Sequence, residues 1–173
     1  MDALALQDDV DAVVELIGGS DGPALTLARN TLAAGKPFIS ANKAMIAHHG
    51  MELATIADAA DIPLKFEAAV AGGIPVIKAL REGASANRIA RVYGILNGTC
   101  NFILTKMEAE GRDFADVLAE AQAKGFAESD PSFDIDGIDA AHKLSILAAM
   151  CFGTRLDFSA VATTGIRDIL GAD

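Results

Sequence analysis

The sequence predicts an α/β fold, a small parallel sheet with helical crossovers followed by a mixed α/β (α+β) part. Three observations carry this. Short apolar runs rich in β-branched residues alternate with helix-period segments over residues 10–70. Past Gly72-Gly73 that alternation breaks. The composition, 51% hydrophobic and only 5% aromatic over 173 residues, suffices for one good core or two small lobes.

Taken in order, residues 10–17 (VDAVVELI) end in Gly18-Gly19 and read as a strand buried on both faces, as in a parallel sheet. Asp21 is placed to cap a helix with Pro23 in its first turn; Leu25, Leu27, Ala28 and Leu32 carry it to Gly35. Residues 37–41 form a second strand. A helix bearing Leu53, Ile56, Ala57 and Ala60 follows, then a third strand over 63–70. Strand, helix, strand, helix, strand implies parallel pairing through crossovers. Residues 74–81 then read as a helix and 88–96 (RIARVYGIL) as a strand with a polar alternate face. A turn over 97–101 leads into a helix over 102–110. Asp113 caps another helix, with Phe114, Val117, Leu118 and Ala121 on one face and Gly125 past its end. A last helix buries Ile138, Ala141, Leu144, Leu147, Ala148 and Cys151. Two domains are expected, 1–72 and 73–173. The glycine clusters GGSDG, AGGIP and GILNG do not match G-x-G-x-x-G, so the sheet reads as starting in its second half, with a piece expected ahead of residue 1.

Several classes of function are disfavoured. A net charge of −10 argues against a nucleic-acid partner. No apolar run approaches the roughly 18 residues of a membrane span. The acidic amino terminus, MDALALQDDVD, lacks a signal-peptide layout. Cys100 and Cys151 form no CxxC pattern and read as reduced, buried thiols of a cytoplasmic protein.

Chemistry concentrates in GFAESDPSFDIDGIDAAHKL (125–144), where Glu128, Asp130, Asp134, Asp136 and Asp139 precede Lys143. A calcium loop opening at Ser132 would put Asp134, Asp136 and Gly137 in register, but its twelfth position is Lys143, and a cation cannot ligate a cation. A solvated acidic loop leading into a helix stays open as the plain reading. Lys143, however, interrupts an apolar helix one turn after Asp139, so the two side chains share a face. Carboxylates nearby keep its ammonium protonated. Such a group can protonate a carbonyl oxygen as negative charge grows there, while other acids hold a substrate ammonium. The physics favours reduction of a carbonyl on a cationic or zwitterionic small molecule.

Four segments carry a resemblance: SANKAMIAHHG (40–50), FEAAVAGGIPVIKALRE (66–82), YGILNGTCNFILTKM (93–107) and the acidic stretch. Together they resemble homoserine dehydrogenases, in the right order and from about Val10 to about Ile169. The resemblance implies a Rossmann-type NAD(P)-binding domain, present in its second half over 1–72, and an incomplete substrate-binding and dimerisation domain over 73–173. It implies interconversion of L-homoserine and L-aspartate 4-semialdehyde with NADP or NAD, in threonine, methionine and isoleucine biosynthesis, by a cytoplasmic homodimer.

Position by position, Lys143 matches the proton donor, Lys43 a second lysine near nicotinamide and substrate, and Asp134 a further acid of the site. Glu128 and Asp139 match residues that bind the amino end of the substrate. Ser40, where the family usually has Thr, Asn42, Lys43 and Gly125 match cofactor-binding positions. Glu67, with the carbonyls of Val70, Gly72 and Ile74, matches a sodium loop. Without the family's phosphate loop and closing segment, the chain alone is expected to be weak or inactive.

Plainer readings stand beside each of these. Lys43 can be a surface lysine. Glu67 can be satisfied by a hydrogen bond as well as by sodium. Asn97-Gly98-Thr99 can be only a turn. His48 and His49, adjacent on a helix, read as surface residues, and His142 as structural; Tyr93 and Asn97 receive no role. A non-catalytic dimerisation or amino-acid-binding module is the alternative function.

Overall fold

The computed structural model describes residues 2–171. After a short helix α1 (Asp2–Ala5), strands β1 (Val13–Glu15), β2 (Phe38–Ser40) and β3 (Leu64–Lys65) form one parallel sheet in the order β1-β2-β3. Val13 lies opposite Phe38, Glu15 opposite Ser40, and Phe38 opposite Leu64. Helices α2 (Pro23–Ala33) and α3 (Lys43–Ala59) make the crossovers and pack on each other. α2 starts on a proline, whose fixed φ suits the first helical turn. Its cap is Gly22 at φ 75°, not Asp21; the Asp21 carboxylate instead takes the hydroxyl of Ser20 and lies 3.0 Å from His49 Nε2. α3 is capped by Asn42, whose Oδ1 accepts from Met45 N–H.

Burial alternates along the strands. Val13, Glu15, Phe38 and Ser40 are buried, while Val14 and Ile39 are 59% and 38% exposed. The described residues thus cover one face of the sheet, not the two expected, because both crossover helices serve the face that carries Val13 and Phe38. The third strand is also shorter than expected. It ends at Lys65 and passes into a 3-10 turn, Glu67–Ala69. The helix expected over 74–81 is one α-helical turn, α4 (Val76–Lys78), running into a π-helical stretch, Ala79–Gly83. Residues 88–96 are irregular, and the expected strand is absent there. A strand needs a partner to take its backbone donors and acceptors, and none of the described strands pairs with it. Tyr93 and Ile95 are correspondingly 88% and 76% exposed.

The later helices are α5 (Gly98–Glu110), α6 (Phe114–Ala123), α7 (Ser132–Ile135) and α8 (Ile138–Phe152). The chain forms two compact units, one made of residues up to Val92 with His142–Ala160, the other of Tyr93–Ala141 with residues from Val161 on. The second is built on Ile103, Met107, Val117, Ala121, Ala127, Ile135 and Ile166. Its closing segment is tied down where Ile166 N–H donates to Ile135 O at 2.8 Å. That approach requires Gly165, because a Cβ there would lie 2.9 Å from the same carbonyl oxygen. Among the described residues no helix is long and apolar enough to cross a membrane.

Candidate functional site

The sheet unit presents a bonded polar edge at the carboxyl ends of β1 and β2. Glu15, 1% exposed, accepts from Ile17 N–H at 2.6 Å and Gly18 N–H at 3.0 Å through one oxygen. Its other oxygen accepts from the Ser40 hydroxyl at 2.6 Å. Ser40 Oγ in turn accepts from Asn42 N–H at 3.0 Å, and Asn42 Nδ2 donates to Gly19 O at 2.7 Å. A buried carboxylate is tolerable when donors converge on it, and three do so here. The result joins the loop after β1 to the first turn of α3. Ser40 and Asn42 therefore spend their side chains on internal ties. Lys43, the first residue of α3, is half-buried just past the end of β2, the edge at which parallel α/β sheets receive ligands.

In the same unit Glu67 is half-buried and accepts from Ile77 N–H at 3.1 Å. Val70 is buried, Gly72 is exposed and Ile74 is 64% exposed. Ala71 at φ 54° and Gly73 at φ 87° turn the backbone between them, and Ile74 O accepts from Val76 N–H at 2.7 Å. The oxygens of this loop are the donors a hard cation takes, and the loop is already held by its own hydrogen bonds.

The five acids of residues 125–144, which lie in the second unit, do not act as one cluster. Asp136 pairs with Arg167, which holds its carboxyl below the usual range. Asp130 accepts from the hydroxyl and N–H of Ser132 and is lowered by them. Glu128 and Gly125 are exposed, Gly125 at φ 74° beyond α6. Gln122 Nε2 reaches the carbonyls of Glu128 and Ser129 at 3.0 and 3.3 Å and shapes that segment.

Asp134 and Asp139 converge on a single amide. Asn97 Nδ2 donates to Asp134 Oδ1 at 2.7 Å and to Asp139 Oδ2 at 2.9 Å, while its Oδ1 caps α5 by accepting from Cys100 N–H at 2.8 Å. Thr99 Oγ1 lies 3.0 Å from Asp134 Oδ2 and 2.9 Å from Phe126 O. Asn97 and Asp139 are buried, 9% and 4% exposed, and Asp134 is half-buried beside a cavity of about 340 Å³ that Asn97, Cys100, Leu104 and Ile135 also line. Two carboxylates sharing one neutral donor attract a cation. Burial first, then Asp134 and Asp139, push the Cys100 thiol up, and burial does the same to Cys151, so neither is an activated nucleophile. α8 carries Asp139 in its first turn and Lys143, half-buried, four residues on.

Sequence reasoning passed over three participants. Glu15 lies inside an apolar run, where a lone acid at a strand end is itself a signal that donors must meet it. Asn97 was only a turn signal, and nothing local tells that its amide bridges two acids far along the chain. His48 is exposed, as expected, yet its Nε2 lies 3.1 Å from Nε2 of buried His142, and Phe158 packs on both rings.

The fold defines a class, an α/β protein with a short parallel sheet and a bonded polar edge at its strand ends. The homoserine dehydrogenase family model matches residues 75–173. The sequence is 55% identical to the homoserine dehydrogenase of Pseudomonas aeruginosa over 170 residues, 98% of this chain and 39% of that protein. It is 51% identical to that of Neisseria gonorrhoeae, again over 98% of this chain and 39% of the relative. Among solved structures, a homoserine dehydrogenase from Thiobacillus denitrificans superposes with a TM-score of 0.92 at 53% identity, over 95% of this chain and 38% of that one. A hyperthermophilic archaeal homoserine dehydrogenase in complex with NADPH gives 0.88 at 31% identity, over 99% and 52%. The chain belongs to the homoserine dehydrogenase family, and it spans about two fifths of the length of the curated relatives it matches.

Proposed function

We propose that the full-length protein carrying this chain is an NAD(P)-dependent homoserine dehydrogenase, interconverting L-homoserine and L-aspartate 4-semialdehyde in the cytoplasm. It would serve threonine, methionine and isoleucine biosynthesis and work as a homodimer. Residues 1–72 would belong to its nucleotide-binding domain and 73–173 to its substrate and dimerisation domain. This functional division differs from the division by compactness, since residues 73–92 and most of α8, from His142 on, fold with the sheet unit. The observation that carries the reading is the Asn97-bridged pair of acids, with Asp139 one helical turn before Lys143.

The nicotinamide, when bound, supplies or accepts the hydride. Lys143 hands a proton to the aldehyde oxygen during reduction and takes it back during oxidation. Asp134 is a further acid of the site, and Glu128 with Asp139 holds the substrate ammonium. Lys43 sits at the ligand edge of the sheet. Ser40 and Asn42 serve the nucleotide by fixing the backbone there, since their side chains are spent on Glu15 and Gly19, and Gly125 offers backbone without a side chain in the way. Glu67 with the carbonyls of Val70, Gly72 and Ile74 would hold a sodium ion, displacing the bond from Ile77 N–H. The piece by itself would turn over weakly or not at all.

The test is Lys143→Ala in the full-length protein, assayed with homoserine and NADP by nicotinamide absorbance. Turnover is expected to vanish while circular dichroism stays unchanged. A folded variant retaining more than about a tenth of the rate would overturn the reading, because a positioned acid–base contributes about 10²–10⁴-fold. Saturable homoserine binding without any hydride transfer in the unsubstituted protein would favour a non-catalytic amino-acid-binding module.

A further inference from the structure

The two lysines of the proposed reaction stand on different helices of the sheet unit, Lys43 at the start of α3 and Lys143 within α8. Between those helices lies a polar contact with demanding geometry. His48 Nε2, on α3, is 3.1 Å from His142 Nε2, on α8. His142 is 3% exposed and immediately precedes Lys143. One ring must donate its N–H and the other accept with a lone pair, so the bond exists at one register of α3 against α8 and fails if either helix slides. Phe158 closes the cluster, its ring centre 4.6 Å from that of His48 and 4.5 Å from that of His142. Close packing beside it seats α3 against the segment that follows α8. A Cβ on Gly50, two residues past His48, would lie 3.4 Å from Leu156 and 3.3 Å from Ile46.

Neither imidazole has a part in the proposed chemistry. A hydrophobic pair could fill the same space, but it would not specify orientation to the same degree, since dispersion contacts tolerate small slides that a hydrogen bond does not. We propose that His48 and His142 are positioning residues, a bonded pair that sets α8 against α3 and so places Lys143 relative to Lys43. The proposal rests on the reading of Lys143 as proton donor.

The experiment uses the full-length protein with homoserine and NADP. For His48→Ala, kcat is expected to fall about tenfold or more, the scale of loss from a misplaced catalytic group. KM for both substrates should stay within about twofold, because ground-state binding does not call on the proton. His48→Gln, whose amide nitrogen or oxygen can meet His142 Nε2, should recover most of the loss. His48→Phe keeps the ring and removes the bond, and should behave like the alanine variant even if the latter folds poorly. A wild-type kcat in folded His48→Phe overturns the proposal. So does a deficit that Gln fails to repair while Phe does, since packing alone would then be at stake. Lys143→Ala run in parallel separates the two levels. Retained turnover there removes the proton-donor reading and this proposal with it, whereas an inactive Lys143→Ala beside a fully active His48→Phe removes the positioning role alone.

Discussion

Asn97→Ala tests whether one amide holds the acid pair together. The substitution removes the α5 cap to Cys100 N–H at 2.8 Å and the donations to Asp134 and Asp139 at 2.7 and 2.9 Å. Losing an asparagine cap costs about 1 kcal/mol. A hydrogen bond to a charged group is worth about 1.5–3 kcal/mol. The lower figure suits Asp134, which is half-buried and can rehydrate; Asp139, 4% exposed, has less recourse to water. The expected loss is about 5 kcal/mol, a large part of the total stability of about 5–15 kcal/mol usual for a domain. With a urea slope of about 2 kcal/mol per molar, the unfolding midpoint of the 173-residue chain, followed by far-UV circular dichroism, should drop by about 2.5 M. Asn97→Asp keeps an acceptor for the cap but sets a third carboxylate against the two. It should be at least as damaging at neutral pH, and should recover as acidification protonates the cluster and relieves the like-charge repulsion. A midpoint change under about 0.3 M for Asn97→Ala, or a pH-independent deficit for Asn97→Asp, would refute the bridging role.

Two further outcomes probe the second unit away from the acids. Gly165→Ala would drive a methyl to 2.9 Å from Ile135 O and 3.2 Å from Asp136 Cα; a loss of about 1–3 kcal/mol is expected, read as a lowered urea midpoint, and a neutral result would mean the closing segment is held otherwise. Glu120 meets Lys106, Lys124 and Arg112, which hold its carboxyl well below the usual range, Lys106 foremost. A carboxyl whose folded pKa lies below its unfolded one stabilises above the unfolded value and loses that contribution as pH falls through the folded one. Glu120→Gln should therefore lower the thermal midpoint at neutral pH, with the gap to the parent narrowing from about pH 5 down to about pH 2 and shrinking with added salt. An unchanged gap across that range would show that the carboxylate charge is not what the three cations answer.

Local patterning made the sheet unit legible. The β-branched runs at 10–17 and 37–41, the proline at the start of α2 and the helical period of α3 each follow from nearby residues, and all appear close to where they were expected. The strand expected over 88–96 fails for a non-local reason. Its alternation is real, but a strand is completed by its neighbour, and no described strand takes up its hydrogen bonds. The same distinction separates Val13 from Val14, which look alike in sequence, since burial of the second face depends on what else packs there.

The site divides along the same line. The acidic stretch announced carboxylates and a lysine, because charge density and i, i+4 spacing are properties of a short segment. Which acids work together was not readable. Asp136 is closer in sequence to Asp139 than Asp134 is, yet Asp136 is drawn off by Arg167, 31 positions away, while Asn97, 37 and 42 positions from its partners, unites Asp134 with Asp139. A carboxylate's role is thus decided by the neutral or cationic group that reaches it, and those groups come from other helices. Asn97 reaches the acids from the start of α5, as His48 reaches His142 from α3. The polar side chains that meet across elements, more than the acids themselves, convert a run of like charges into a site with a definite geometry.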